Sequence, residues 1–302
     1  MMSGPQIIRT VAEVRQWARR QRPFVADVSV TDVPSGRVSR AVVMTMGALH
    51  EGHMALVRAA RQRADEVIVT IFVNPLQFGP GEDFDAYPRT EDADVALLAR
   101  EQVDAVFVPS VADMYPGGDP LVRVTAGELG RIYEGAARPG HFDGMLTVVA
   151  KLLVLTAPDV AFFGEKDAQQ LLLIKRMVKD LSLDVEIAPV PLVREDSGLA
   201  LSSRNAYLSP TERSEALALS RALLAASQVA AAGGRAPEIL AAGRAVFANY
   251  SRVDVDYFAL VDPDTMAPLA DDYCGVALAL VAARVGRTRL IDNMSFVITQ
   301  KQ

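Results

Sequence analysis

Five short, mostly apolar runs (residues 42–46, 67–73, 105–108, 160–163 and 185–190) alternate with helical patterns over the first two thirds of the chain. The helical patterns cover residues 51–63, 91–102, 145–156 and 167–181. Continuous apolar runs of this length read as strands buried on both faces. Their alternation with helices implies a parallel sheet covered by helices on both sides, with its site at the carboxyl ends of the strands. Thr90 reads as a helix N-cap, with Glu91, Asp92 and Asp94 in the first turn, where the helix dipole favours negative charge. No G-x-G-x-x-G fingerprint follows the first strand, which disfavours a dinucleotide fold of the NAD type.

Pro189-Val190-Pro191 ends the alternation. A polar loop over 194–205 leads into a long helical pattern over 211–232, broken by Gly233-Gly234, and a second helix is expected over 237–249. β-like runs follow at 256–261, 276–283 and 288–291. The expected fold class is α/β: a Rossmann-like parallel sheet with helices on both faces over residues 1–192, plus a smaller α+β C-terminal lid domain over 193–302. At 302 residues the chain is long enough for two cores.

Thr45-Met46-Gly47-Ala48-Leu49-His50-Glu51-Gly52-His53 follows the first apolar run directly. Histidines at i and i+3 fall on one face of a first helical turn, where backbone N–H groups and the helix dipole favour anions. Gly47 permits a tight turn and Gly52 lets a phosphate approach the backbone. Two of the three histidines sit here. A zinc half-site would need further ligands at workable spacing, and two plain surface histidines on a helix would show the same spacing. Triphosphate binding accounts best for the pattern.

Other candidates lie after the later strands. Asn74 and Gln77 offer donors and acceptors suited to a small hydroxy acid, although a simple Asx turn would also explain Asn74. Arg138 and His141 lead into an apolar helix carrying Lys151, an ammonium that must snorkel to solvent or meet an anion. Lys166 and Asp167 occupy a strand-to-helix junction, ahead of Gln169 and Gln170. Ser202, Ser203 and Arg204 form a hydroxyl- and guanidinium-bearing loop that suits phosphates.

A net charge of −6 argues against a nucleic-acid partner. Cys274 is the single cysteine, so no intrachain disulfide forms. Residues 1–20 lack the pattern of a secretory signal, and residues 145–157 are too short to span a bilayer. A cytoplasmic protein with no membrane partner is therefore expected.

The stretches TMGALHEGH, IFVNPLQF, YPRT, RPGHFDG, FFGEKDAQQ and LALSSRNAYL occur in order over residues 45–208. With them the chain resembles the pantoate–β-alanine ligases, the pantothenate synthetase family of coenzyme A biosynthesis. Its H-x-G-H and S-S-R elements are also similar to the HIGH and KMSKS signatures of the wider nucleotidyltransferase superfamily. The resemblance implies condensation of pantoate with β-alanine, driven by ATP, through pantoyl adenylate with release of pyrophosphate and AMP. It implies that His50, His53, Lys166, Ser202, Ser203 and Arg204 act on the ATP phosphates. Met46, Lys151, Gly164 and Asp167 would complete the ATP contacts, and Asn74, Gln77, Arg138, His141 and Gln170 would serve pantoate. Mg²⁺ would bridge the phosphates with Asp94 nearby, in a homodimer. Two departures from the family pattern stand out: Ala93 precedes Asp94 where many relatives carry a second acid, and Ala168 replaces an aromatic. A simple adenylyltransferase would share H-x-G-H but carry a basic pocket for an acceptor phosphate in place of Asn74 and Gln77, and a non-catalytic nucleotide-binding module would tolerate loss of Lys166 or Arg204.

Overall fold

The computed structural model describes residues 4–20 and 38–299. Six parallel strands form one sheet: β1 (Gln6–Ile8), β2 (Arg40–Thr45), β3 (Glu66–Ile71), β4 (Ala105–Phe107), β5 (Val160–Gly164) and β6 (Glu186–Val190). The helices are α1 (Val11–Arg19), α2 (Glu51–Arg63), α3 (Glu91–Arg100), α4 (Val111–Met114), α5 (Glu134–Ala137), α6 (His141–Thr156), α7 (Ala168–Asp180), α8 (Pro210–Ala231) and α9 (Ala236–Val246). Three antiparallel strands close the chain: β7 (Val253–Val261), β8 (Gly275–Val285) and β9 (Thr288–Ile298). The parallel sheet runs β1-β4-β3-β2-β5-β6, and the small sheet runs β7-β8-β9. This is the expected α/β class with a smaller α+β part.

The described residues divide into two compact units. One lies within Met1–Arg131, Arg138–Gly164 and Leu173–Val190; the other lies within Ile132–Ala137, Glu165–Leu172 and Pro191–Gln302. In the first unit the inward residues of β2, β3, β4 and β5 (Val43, Val69, Val106, Phe162) pack with Met54, Val57 and Ala60 of α2. In the second, Leu219 and Leu223 of α8 and Ile239 of α9 pack on Phe258, Val281 and Leu290 of the small sheet. Ser209 and Glu212 form a reciprocal capping box that starts α8, with Pro210 in its first turn.

The sheet order places the topological switch between β2 and β5. From β2 the chain moves to β3 and β4, and from β5 it moves the other way to β6. Residues following the carboxyl ends of β2 and β5 therefore stand where open α/β sheets build their sites.

The structure departs from the sequence expectations at several element ends. Helix α6 starts at His141 rather than 145, because Gly140 takes a left-handed φ of 81° at the N-cap. Thr90 is the N-cap of α3, but its hydroxyl donates to Asp94 Oδ2 (3.2 Å) instead of accepting from the helix. Strand β9 continues to Ile298 because its polar residues stay paired with β8 throughout. Strand β2 begins at the buried Arg40, whose guanidinium donates to Ala18 O (3.1 Å), Thr156 O (3.3 Å) and Glu66 (3.1 Å). Strand β1 and helix α1 were not expected from the sequence.

Candidate active site

The turn from β2 into α2 is built by two successive left-handed residues, Gly47 (φ 83°) and Ala48 (φ 50°). Ala48 pays a steric penalty there that glycine would not. The buried carboxylate of Asp94 offsets it: Oδ2 accepts from Ala48 N–H (3.0 Å) and Oδ1 from Leu49 N–H (2.8 Å). Consecutive N–H groups in such a turn form a concave anion nest, and Asp94 fills it. A β-carbon on Gly47 would lie 3.2 Å from Asp94 Oδ2. Asp94, expected beside a metal, is thus engaged by both oxygens in shaping the motif loop.

His50 is the N-cap of α2 and His53 its third residue, and each caps with its ring. His50 Nδ1 accepts from Gly52 N–H (3.2 Å), and His53 Nδ1 accepts from His50 N–H (3.3 Å). Accepting requires an unprotonated Nδ1, so in both neutral rings the proton sits on Nε2. The ring centroids lie 4.1 Å apart. Two imidazole N–H donors are thereby paired at a helix N-terminus, beside the switch point, where an anion is favoured.

The second cluster in this unit surrounds Gln77. Asn74 is buried, and its amide is fully paired. Oδ1 accepts from Leu76 N–H (3.3 Å) and Tyr115 Oη–H (2.8 Å), while Nδ2 donates to Gln77 Oε1 (3.2 Å) and Gly144 O (3.1 Å). Gln77 Nε2 meets the Met46 sulfur at 3.0 Å. Gln77 O accepts from Arg138 Nη2 (3.3 Å) and lies 2.8 Å from His141 Nδ1. Arg138 Nη1 lies 3.0 Å from His141 Nε2. A guanidinium only donates and a carbonyl only accepts, so His141 carries its proton on Nδ1. Arg138 also grips Glu82 through two bonds of 2.7 Å. Burial alone would raise the Glu82 carboxyl, but Arg138 outweighs it and holds the group below its ordinary range.

Helix α6 reaches this cluster only because residue 144 is glycine. A β-carbon there would stand 2.0 Å from Leu76 O and 2.8 Å from Gln77 N. Lys151, further along α6, donates to Met114 O and lies 5.1 Å from the Tyr115 ring centroid. Burial lowers its pKa, with a smaller contribution from the positive charge of Arg15. Through Tyr115 it joins the Asn74 network. Gly164 ends β5 opposite Val190, with open space where a side chain would start.

In the second unit, Lys166 and Asp167 share a single turn of 3₁₀ helix before α7, with Nζ 3.8 Å from Asp167 Oδ1. Gln169 is buried: its Oε1 accepts from Glu134 N–H (3.1 Å), and its Nε2 donates to Ile132 O (3.0 Å). The neighbouring Gln170 is half-buried on α7. Ser202 caps a short 3₁₀ helix, Ser203–Tyr207, by accepting from Arg204 N–H (3.3 Å). Asn205 buttresses that loop by donating to Ala200 O (3.0 Å).

The structure thus brings His50 to His53, and Met46, Asn74, Arg138 and His141 around Gln77. Glu82 and Tyr115 carry parts of the Gln77 network that the sequence reading missed. Each lies outside the motifs, and no local pattern marks its long-range partner.

A parallel α/β sheet with a histidine-capped helix at its switch point is the class of fold that offers a phosphate or other anion a ready site. The profile of the family described as "Pantoate-beta-alanine ligase" matches residues 6–295, and the chain belongs to that family. Pantothenate synthetase 4 of Frankia alni is 60% identical over 262 residues, covering 87% of this chain and 84% of the relative. The crystal structure of pantothenate synthetase from Thermus thermophilus superposes with a TM-score of 0.86 at 48% identity, covering 96% of this chain and 98% of that one. The pantoate–β-alanine ligase of Francisella tularensis, solved with β,γ-ATP and β-alanine, gives a TM-score of 0.75 at 33% identity, covering 96% and 97%.

Proposed function

We propose that the chain condenses pantoate with β-alanine at the expense of ATP, passing through pantoyl adenylate. A carboxylate oxygen of pantoate attacks the α-phosphorus of ATP, and the bond to the β-phosphate breaks, releasing pyrophosphate. The amine of β-alanine then attacks the acyl carbon, loses a proton, and AMP leaves with the electrons of the broken C–O bond. Neither step needs a covalent enzyme nucleophile; both need positioning and stabilised phosphate charge.

The observation that carries this reading is the pair of Nε2-protonated imidazoles at the N-terminus of α2. They are donors set before the reaction begins, directed at charge that grows as pyrophosphate departs. Lys166, Ser202, Ser203 and Arg204 supply further phosphate donors, and Met46, Gly164 and Asp167 contact the rest of ATP. Gln77 and Gln170 receive the hydroxyl and carboxylate groups of pantoate. Asn74 holds Gln77 and can trade that bond for one to the substrate. Arg138 and His141 hold the Gln77 backbone in place, and Lys151 supports Asn74 through Tyr115.

Mg²⁺ is part of the proposal as a companion of ATP. This ion commonly binds through substrate phosphates, water and at most one or two carboxylates. Both Asp94 oxygens accept backbone N–H groups, so the residues present fit an ion carried chiefly by the triphosphate, where it neutralises phosphate charge. Among the described residues no helix is long and apolar enough to cross a membrane. The family resemblance supports a cytoplasmic homodimer, which sedimentation of the purified protein and cell fractionation would test.

The direct test supplies ATP, pantoate, β-alanine and magnesium and follows pantothenate and AMP. Equal amounts of the two products, lost when any one substrate is omitted, are expected. Formation of ADP, or product without β-alanine, would overturn the reading.

A further inference from the structure

Strand β9 places two consecutive polar residues, Asp292 and Asn293, next to segments that hold the proposed phosphate ligands of the second unit. Asn293 Nδ2 donates to Glu165 O (2.9 Å) and to Lys166 O (2.8 Å). Those carbonyls belong to the peptide units on either side of the Lys166 α-carbon. Holding both fixes the direction in which the lysine side chain leaves the backbone. A primary amide suits the task because its two N–H groups diverge from one nitrogen.

Asp292 is buried and accepts a bidentate pair from Arg194 (2.7 and 2.9 Å), as well as Asn293 N–H (2.7 Å). Arg194 donates in turn to Gly198 O (3.0 Å) and Asn293 O (3.3 Å). It also bridges to Ala200, two residues before Ser202. Bidentate arginine–carboxylate pairs are directional as well as strong. The Lys166 turn and the strand leading to Ser202, Ser203 and Arg204 are therefore anchored on neighbouring residues of one strand.

We propose that Asn293 is a positioning residue for the ligase reaction, acting through Lys166, with the Arg194–Asp292 pair fixing the serine–arginine loop in the same frame. This rests on the reading of Lys166 as a phosphate ligand. Asn293 itself touches no reacting atom. It sets where the ammonium stands when pyrophosphate leaves, and small misplacements of a positioned group are costly to turnover.

The test is a double-mutant cycle in pantoate-dependent exchange of pyrophosphate into ATP, using wild type, Lys166→Ala, Asn293→Asp and the double variant. Asn293→Asp keeps the side-chain shape, removes both donors and sets a carboxylate against two carbonyls. It is expected to lower the exchange rate by ~10–10²-fold. The KM for pantoate should stay within about twofold, and the substitution should add less than about twofold in the Lys166→Ala background. Thermal unfolding checks that each variant folds; if Asn293→Asp does not, Asn293→Ala takes its place in the cycle. Loss in Lys166→Ala with no loss in the Asn293 variants would overturn the inference and leave the phosphate-lysine reading standing. Additive losses would also overturn it, because Asn293 would then act independently of Lys166. An unaffected Lys166→Ala would remove both.

Discussion

The two units hold the residues proposed to meet phosphate by different means. In the first, His50 and His53 are fixed by the backbone they cap, on a left-handed turn filled by the Asp94 carboxylate. In the second, Lys166 and the Ser202–Arg204 loop take their places from side chains of β9 and from the Arg194–Asp292 ion pair. The first arrangement is mostly local: each ring bonds to a backbone N–H two or three residues away. The second depends on partners more than ninety residues distant in sequence, since Arg194 and Asp292 are 98 apart and Asn293 and Lys166 are 127 apart. The contrast separates two questions, which residues do the chemistry and what aims them. A motif answers the first, while the second is answered by the fold.

The comparison predicts a graded set of losses. The largest belongs to Lys166, the proposed phosphate donor: Lys166→Ala should lose on the order of 10²–10³ in turnover, as for removal of one transition-state donor. Steady-state rates within a few-fold of wild type would remove Lys166 from the phosphate set.

Next comes the carboxylate that shapes the motif turn. In Asp94→Asn one loop N–H faces an amide nitrogen and is left unsatisfied, which costs about 1–3 kcal/mol of stability. Turnover should fall by roughly 10–10²-fold through displacement of the histidine pair. Imidazole ¹⁵N shifts of His50 and His53 should move in the same variant. Full recovery by excess magnesium, with unmoved imidazole signals, would show that Asp94 serves a metal instead.

Smaller effects are expected around Gln77. Tyr115→Phe removes the hydroxyl bonded to Asn74 Oδ1 and should raise the KM for pantoate by about 3–10-fold, the usual size of one neutral hydrogen bond. An unchanged KM would detach Tyr115 and Lys151 from substrate binding.

The smallest effect concerns pH. Arg138 holds the Glu82 carboxyl below its ordinary range despite burial. The ion pair therefore contributes fully above the ordinary Glu value of about 4.3, and the contribution is lost as pH falls through the depressed folded value. Pantoate affinity should weaken on that acid limb in wild type. Glu82→Gln should show a flatter acid limb from a slightly higher starting KM, and a limb identical to wild type would exclude Glu82 as its source.

The parallel sheet was legible because β2, β3 and β5 are apolar on both faces and end in recognisable turns. Strand β1 has three residues, of which only Ile8 is buried, too little for an apolar run to register. Arg40 hid the start of β2, since only the folded structure supplies the carbonyls and the carboxylate that make a buried guanidinium tolerable. In the candidate site, His50, His53 and Gln77 stood out through residue type and spacing. The tautomers did not, because they follow from which backbone groups meet each Nδ1. Gly144 falls just outside the helix expected from residue 145, and the need for glycine there, the carbonyl of Leu76 standing where a β-carbon would go, is a tertiary fact.

The most direct test of the account is pyrophosphate exchange into ATP by the purified protein with magnesium and pantoate, leaving out β-alanine. The account predicts exchange that requires pantoate and drops sharply when either His50 or Lys166 is replaced by alanine. Folded protein that binds ATP and forms pantothenate with all three substrates, yet shows no pantoate-dependent exchange, would contradict an adenylate formed before the amine arrives.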